Sequence, residues 1–245
     1  PVLADDGSTD ALFPAALTPA YMYYNGYFPD DTLENGKGYW VKFSAEEPLS
    51  YAGFTVLRDT IDVAEGWNLV GSISESVATS TIVSIPAGSI SSQFYSYNGG
   101  YDVATTLEPG GGYWVKTSQD AKLILSAFLQ AIPAVAGVGR FPRSDVPGEI
   151  SAPPDAGRLI FTDAAGNLRT LELKSELPAG TAIAAFDLPP LPPPGAFDIR
   201  FGTQRSLEVF TDRGAIGTIE TQGVHYPLRI DWQIPEGAAA MLSSG

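Results

Sequence analysis

Residues Leu33 to Lys42 read LENGKGYWVK, and Leu107 to Lys116 read LEPGGGYWVK. Trp40 and Trp114 stand 74 positions apart. The same spacing relates Tyr27 to Tyr101, Thr32 to Thr106, Leu33 to Leu107, Gly36 to Gly110, Gly38 to Gly112 and Lys42 to Lys116. Self-similarity at a fixed period marks a duplicated supersecondary unit, so the chain is expected to be assembled from repeated modules. Upstream, Tyr24-Asn25-Gly26-Tyr27 matches Tyr97-Asn98-Gly99-Gly100-Tyr101 with one glycine inserted, as a hairpin turn tolerates.

Each copy reads as an aromatic strand, an Asn-Gly turn, a short strand, a Gly-rich turn and the strand GYWVK, which is a β-meander pattern. Alternation along a strand sets Tyr39, Val41 and Phe43 on one face and Trp40, Lys42 and Ser44 on the other. In copy two the same faces hold Tyr113 and Val115 against Trp114 and Lys116. GWNLVGSIS, Gly66 to Ser74, reads as the opening strand of copy two. Carried back by the repeat spacing, its counterpart for copy one falls ahead of Pro1, so either that strand belongs to an upstream part cut away or left out, or copy one is an incomplete module with an open sheet edge. Such an edge carries unpaired backbone groups that a strand of another chain can complete. Pro1, Val2 and Leu3 are one candidate inter-subunit strand. Met241 and Leu242, within Ala238 to Gly245, are the other.

Five prolines from Ala131 to Gly157 mark an extended connection. Beyond it, RLIFTDAAGNLRTLEL reads as a hairpin turning at Asp163 to Asn167. Phe197, Ile199 and Phe201 alternate with Asp198 and Arg200, and Leu228, Ile230, Trp232 and Ile234 alternate with Arg229, Asp231 and Gln233. Both patterns predict half-buried strands of a sandwich. The prolines of LPPLPPPGAFDIRF must be polyproline II, because proline fixes φ and lacks an N–H, and they read as a rigid crossover between two sheets. The expected architecture is therefore all-β. Residues 1–62 form a first module lacking its opening strand and 63–131 a second module. Residues 132–156 form a Pro/Gly-rich connection, and 157–245 a C-terminal β-sandwich. The 26 glycines and 20 prolines suit so many turns.

The composition narrows the chemistry. A net charge of −14 repels phosphate backbones and anionic lipid surfaces, which argues against nucleic acid as a partner. The run Leu123 to Val138 is too short and too interrupted to span a bilayer, so no membrane insertion is expected. The start at Pro1 rather than Met reads as a processed N-terminus. Without cysteine there is no thiolate metal site or nucleophile, and the single histidine, His225, reads as a turn residue in GVHYPL rather than a base. Two-carboxylate glycosidase chemistry needs only a positioned Asp/Glu pair, and nothing in the 28 acidic residues singles one out. Glu34 and Glu108 recur in both copies, as turn or capping residues do. Asp5, Asp6, Asp10, Asp30 and Asp31 form loose clusters of hard oxygen ligands that fit Ca²⁺, although not at EF-hand spacing. Trp40 and Trp114, with Tyr39 and Tyr113 beside them, either stack on sugar rings of a polysaccharide or pack under a neighbouring hairpin with lysine stems across them.

GWNLVGS, Gly-x-Gly-Tyr-Trp-Val-Lys and LPPLPPPGAFDIRF together resemble the stalk regions of large secreted or cell-surface proteins of Bacteroidota and related bacteria. There, such modules precede a C-terminal sorting domain of the type IX secretion system. The resemblance implies an extracellular bacterial protein and no activity. The expected role is structural and non-enzymatic: a stalk, or, on the ground of the opening strand that copy one lacks, a surface-filament subunit linked by strand complementation through self-association or through other surface proteins.

Overall fold

The computed structural model describes residues 2–4, 6–45, 48–49, 52–128, 157–177, 179–210 and 217–233. Pro1, Asp5, Ile234, Met241, Leu242 and the connection at 132–156 lie outside the described residues. The architecture is all-β, with several sheets that are almost wholly antiparallel. One four-residue helix, Thr9–Leu12, is capped at its N-terminus by the Ser8 side chain. The chain divides into two compact units: Pro1–Ser96 with Asp102–Val146, and Tyr97–Tyr101 with Pro147–Gly245.

The first unit contains both copies apart from the Tyr97–Tyr101 turn of copy two, and the hairpins of the two copies coincide. Ala20–Tyr23 pairs with Tyr27–Asp30, and Phe94–Tyr97 runs beside Tyr101–Ala104 with every boundary displaced by the repeat spacing. Asn25 (φ 52°) and Gly26 (φ 158°) occupy the conformations of Gly99 (φ 66°) and Gly100 (φ 158°). No glycine is inserted, contrary to the sequence alignment. Tyr23 is equivalent to Tyr97, and Asn25 takes a left-handed position that Gly99 takes in copy two, as asparagine can.

The Gly-rich turns coincide as well. Lys37 N–H bonds the Glu34 carbonyl at 3.3 Å, and Gly111 N–H bonds that of Glu108 at 3.1 Å. Gly36 and Gly110 hold φ of 82° and 81° at the third position, as a type II turn requires. Glu34 and Glu108 are thus turn residues. The phenol oxygens of Tyr39 and Tyr113 accept the N–H of Glu34 (3.0 Å) and Glu108 (2.7 Å), which ties each turn to the strand it feeds. Burial pushes the Tyr39 phenol up to about 12, so it stays neutral and fit for this role.

In copy two, Gly112–Thr117 lies between Phe94–Tyr97 and Gly66–Gly71, with Tyr113 opposite Val70 and Val115 opposite Asn68. Ala121–Ser126 lies between Arg58–Val63 and Val83–Ile85 in a second sheet. Tyr113, Val115, Leu123, Leu125 and Leu107 meet in one apolar core with Ile61, Val63, Val70 and Phe94. Alternation puts these side chains inside, and leaves the opposite face of GYWVK to be covered by something else.

In the second unit, Gly157–Thr162 and Leu168–Lys174 form the expected hairpin. They build a four-stranded sheet with Arg229–Gln233 and Leu207–Val209, the last running parallel. Asp198–Phe201 pairs with Ile219–Gln222 in a separate two-stranded sheet. Leu159, Phe161 and Leu171 from the first sheet pack with Phe197, Ile199 and Phe201.

Two expectations change here. Asp198–Phe201 is not half-buried: Asp198 and Arg200 are 3% and 0% exposed. The reason is the proline run. Segments rich in proline offer carbonyls without N–H groups of their own, so their acceptors call for donors from elsewhere. Arg200 donates to the Asp198 carboxylate through two nitrogens (2.6 and 2.9 Å) and to the Pro189 carbonyl at 2.7 Å. Gln222 donates to Pro192 and Pro193 (3.0 and 3.3 Å), and Tyr101 to Pro190 (2.8 Å). The proline segment is a cover fastened over the polar face of this strand pair. Trp232 departs the other way: it stands opposite Leu159, on the face that carries the core, yet it is 60% exposed at the sheet edge.

The hairpin turn at Asp163 is a second polar hub. Its Oδ1 accepts the N–H of Ala165 and Asn167, and its Oδ2 accepts the Asn167 side chain and the His225 N–H, at 2.9 to 3.1 Å. Burial pushes this carboxyl up, but the four donors outweigh it and hold the group below the usual carboxylate range. A depressed folded pKa stabilises fully above the unfolded value of about 3.9, and that stabilisation is lost as pH falls through the folded value. Asp163→Asn is therefore expected to lose about 1–3 kcal/mol at pH 7. Urea titrations from pH 7 downward should show the gap to the parent closing below about pH 4; a pH-independent gap would contradict the assignment.

Candidate functional site

The face of GYWVK turned away from the core carries Trp40 and Trp114, and the copies use it to hold each other. Tyr23, in the hairpin of copy one, stands edge-on to Trp114 of copy two at 4.7 Å. The series continues in both directions, from Tyr23 to Tyr27 (5.3 Å) to Trp40 (6.5 Å), and from Trp114 to Trp67 (6.5 Å) to Tyr95 (5.9 Å). All these pairs are T-shaped, the geometry ring quadrupoles favour. Lys116 places its ammonium 5.8 Å from the Trp67 ring centre.

Backbone pairing reinforces the joint. Gly38 N–H bonds the Leu69 carbonyl at 3.1 Å, Gly71 N–H bonds the Gly36 carbonyl at 2.8 Å, and Lys37 lies antiparallel to Val70. The Gly66–Gly71 strand of copy two thus serves both copies, with Gly112–Thr117 along one edge and the Gly36–Gly38 turn of copy one along the other. A Cβ on Gly71 would lie 2.7 Å from the Lys37 carbonyl oxygen, so this approach requires glycine.

These contacts set the two repeated tryptophans apart. Trp114 is 1% exposed, so its ring faces are not open to a sugar, and it packs under the neighbouring hairpin. Trp40 is half-buried. Tyr113 lies in the core, and the Tyr39 hydroxyl is engaged with the Glu34 N–H and, at 3.4 Å, with Asp30. Sequence reasoning missed Tyr23, the residue that makes the joint. Its signal was present in the aromatic hairpin strand, since Tyr21, Tyr23 and Tyr27 recur as Tyr95, Tyr97 and Tyr101.

A groove of about 660 Å³ lies beside the joint, between Met22–Tyr24 and the Gly36–Gly38 turn on one side and Ile61–Ala64, Asn68–Val70 and Ala121 on the other. Its charges are paired: Lys122 with Asp62, and Lys37 with Glu34 at 2.9 Å. Asp120 accepts the Glu65 N–H. Burial raises the Glu172 carboxyl against the opposing Arg158 and Lys174; this group stands in the second unit, 3.9 Å from Arg158.

The two acidic segments read as Ca²⁺ loops lie side by side, the Thr9 N–H meeting the Asp31 carbonyl at 2.9 Å, but the described carboxylates serve local structure. Asp6 accepts the Ser8 N–H (2.8 Å) and Asp30 the Thr32 N–H (3.2 Å), each closing its own local turn, while Asp10 lies in the helix. Among the described residues no group of three or more His, Cys, Asp or Glu side chains is placed to hold a metal, and no helix is long and apolar enough to cross a membrane. His225 takes part through its backbone, its N–H meeting Asp163.

No protein-family model matches the chain, and no curated protein or solved structure is significantly similar to it.

Proposed function

We propose that this chain is a non-enzymatic, extracellular structural protein, a stalk segment or surface-filament subunit built of tandem β modules and ending in a β-sandwich. One observation carries the reading: the residues that the sequence duplicates meet one another. Tyr23 packs on Trp114, and the Gly36–Gly38 turn of copy one lies along the Gly66–Gly71 strand of copy two. A repeated face spent on neighbouring modules is what a stacked array needs, because each unit buries its apolar face only against the next. Such a contact is head-to-tail, and a head-to-tail contact whose rotation does not close continues into an open filament. The resemblance of GWNLVGS and GYWVK to bacterial surface stalks points the same way, as does an acidic surface that keeps a secreted chain soluble. Its partners are further modules, on copies of itself or on other surface proteins.

Immunogold electron microscopy of the source cells tests this. Label is expected on the outer surface, along fibres or stalks. Label confined to the cytoplasm would overturn the proposal.

A further inference from the structure

We infer that the Tyr39–Val41 edge of copy one is a docking site for an extended strand of the Gly-Trp-Asn-Leu-Val-Gly type. The inference rests on the structural role proposed above and names the partner of that site. Trp40 and Tyr21 exchange both backbone hydrogen bonds, at 2.9 and 3.0 Å, just as Trp114 stands opposite Tyr95. Backbone groups alternate between the two edges of a strand, so the N–H and C=O of Tyr39 and Val41 point to the opposite edge. In copy two that edge is filled by Gly66–Gly71. In copy one, among the described residues, no strand pairs with it.

The side chains carry the same imprint. Tyr95, Tyr113, Trp114 and Val115 are at most 5% exposed, whereas their equivalents Tyr21, Tyr39, Trp40 and Val41 are all half-buried. In copy two, Trp67 sits against Tyr95 and Trp114 beneath Lys116. The half-buried Tyr21 and the exposed Lys42 are the copy-one equivalents of Tyr95 and Lys116, between which the guest indole would lie. The register follows from copy two: Trp of the guest opposite Lys42, Asn opposite Val41, Leu opposite Trp40, and Val opposite Tyr39, running antiparallel. The chain's own Gly66–Gly71 is already held along both of its edges. The occupant is therefore a second strand of this kind.

The test uses the full chain and a labelled peptide, GWNLVGSIS, followed by fluorescence anisotropy and by amide exchange. Saturable one-to-one binding is expected, with new protection at the Tyr39 and Val41 amides. Replacing the peptide's tryptophan by alanine should weaken binding by about tenfold or more. Val41→Pro removes a donor from the open edge and leaves the Trp40–Tyr21 pair in place; it should weaken binding by about as much, with near-ultraviolet circular dichroism confirming the fold. Absence of saturable binding would overturn the inference, as would affinity indifferent to the peptide's tryptophan or protection appearing elsewhere. Peptide binding is read in solution, so its failure leaves the cell-surface result standing, and the reverse holds equally.

Discussion

Replacing Arg200 by alanine is expected to remove about 3–5 kcal/mol from the stability of the second unit, because it strands a buried carboxylate. Arg200 is fully buried, and its partner Asp198 is 3% exposed. Without the guanidinium, the buried Asp198 side chain loses its ion-pair partner, and the Pro189 carbonyl and Gln204 side chain each lose a donor. The double variant Asp198→Leu/Arg200→Met should lie much nearer the parent, since removing both charges removes the desolvation cost with the attraction. Denaturant unfolding followed at Trp232, the one tryptophan of that unit, measures both. A loss below about 1 kcal/mol for Arg200→Ala would show that the fastening of the proline cover contributes little.

Trp114→Ala is expected to cost the first unit about 3–5 kcal/mol, the range for deleting a fully buried large aromatic. The indole is the central ring of the series that joins the copies, touching Tyr23 on one side and Trp67 on the other. Its Nε1 meets no hydrogen-bond acceptor among the described residues, so packing carries its contribution. Trp114→Phe should accordingly be far milder than Trp114→Ala, because it retains an aromatic ring and removes a buried donor that is not matched. Trp40→Ala should cost roughly half as much as Trp114→Ala, since this half-buried ring has less area to lose. Equal losses at the two tryptophans, read by urea titration and far-ultraviolet circular dichroism, would contradict the difference in cover between the copies.

Much of the fold was legible because its signals are local. The hairpin at Asp163 to Asn167, the type II turns at Gly36 and Gly110, and the alternation that sends Tyr113 and Val115 into the core all depend on residues within a few positions of each other. The turn register was misjudged where two residue types satisfy one backbone conformation: Asn25 and Gly99 both adopt positive φ, and matching the letters Asn-Gly shifted the alignment by one. The burial of Asp198 and Arg200 was not legible from alternation, which assigns faces and says nothing of what lies over them. A strand with two charged residues beside a run of prolines that lack donors was nonetheless a signal, since unsatisfied carbonyls and a guanidinium are complementary.

The candidate site divides in the same way. From the sequence alone came the duplication, the two tryptophans on one strand face, and the placement of Gly66–Gly71 at the head of copy two. Each is a matter of period and spacing, which the chain carries without folding. The tertiary structure decided what those faces meet. One strand, Gly66–Gly71, lies between both copies, Trp114 is sealed by Tyr23, and Trp40, in the same motif, stays half open. Two nearly identical ten-residue segments end in different environments because burial depends on neighbours far along the chain, and no local pattern encodes them.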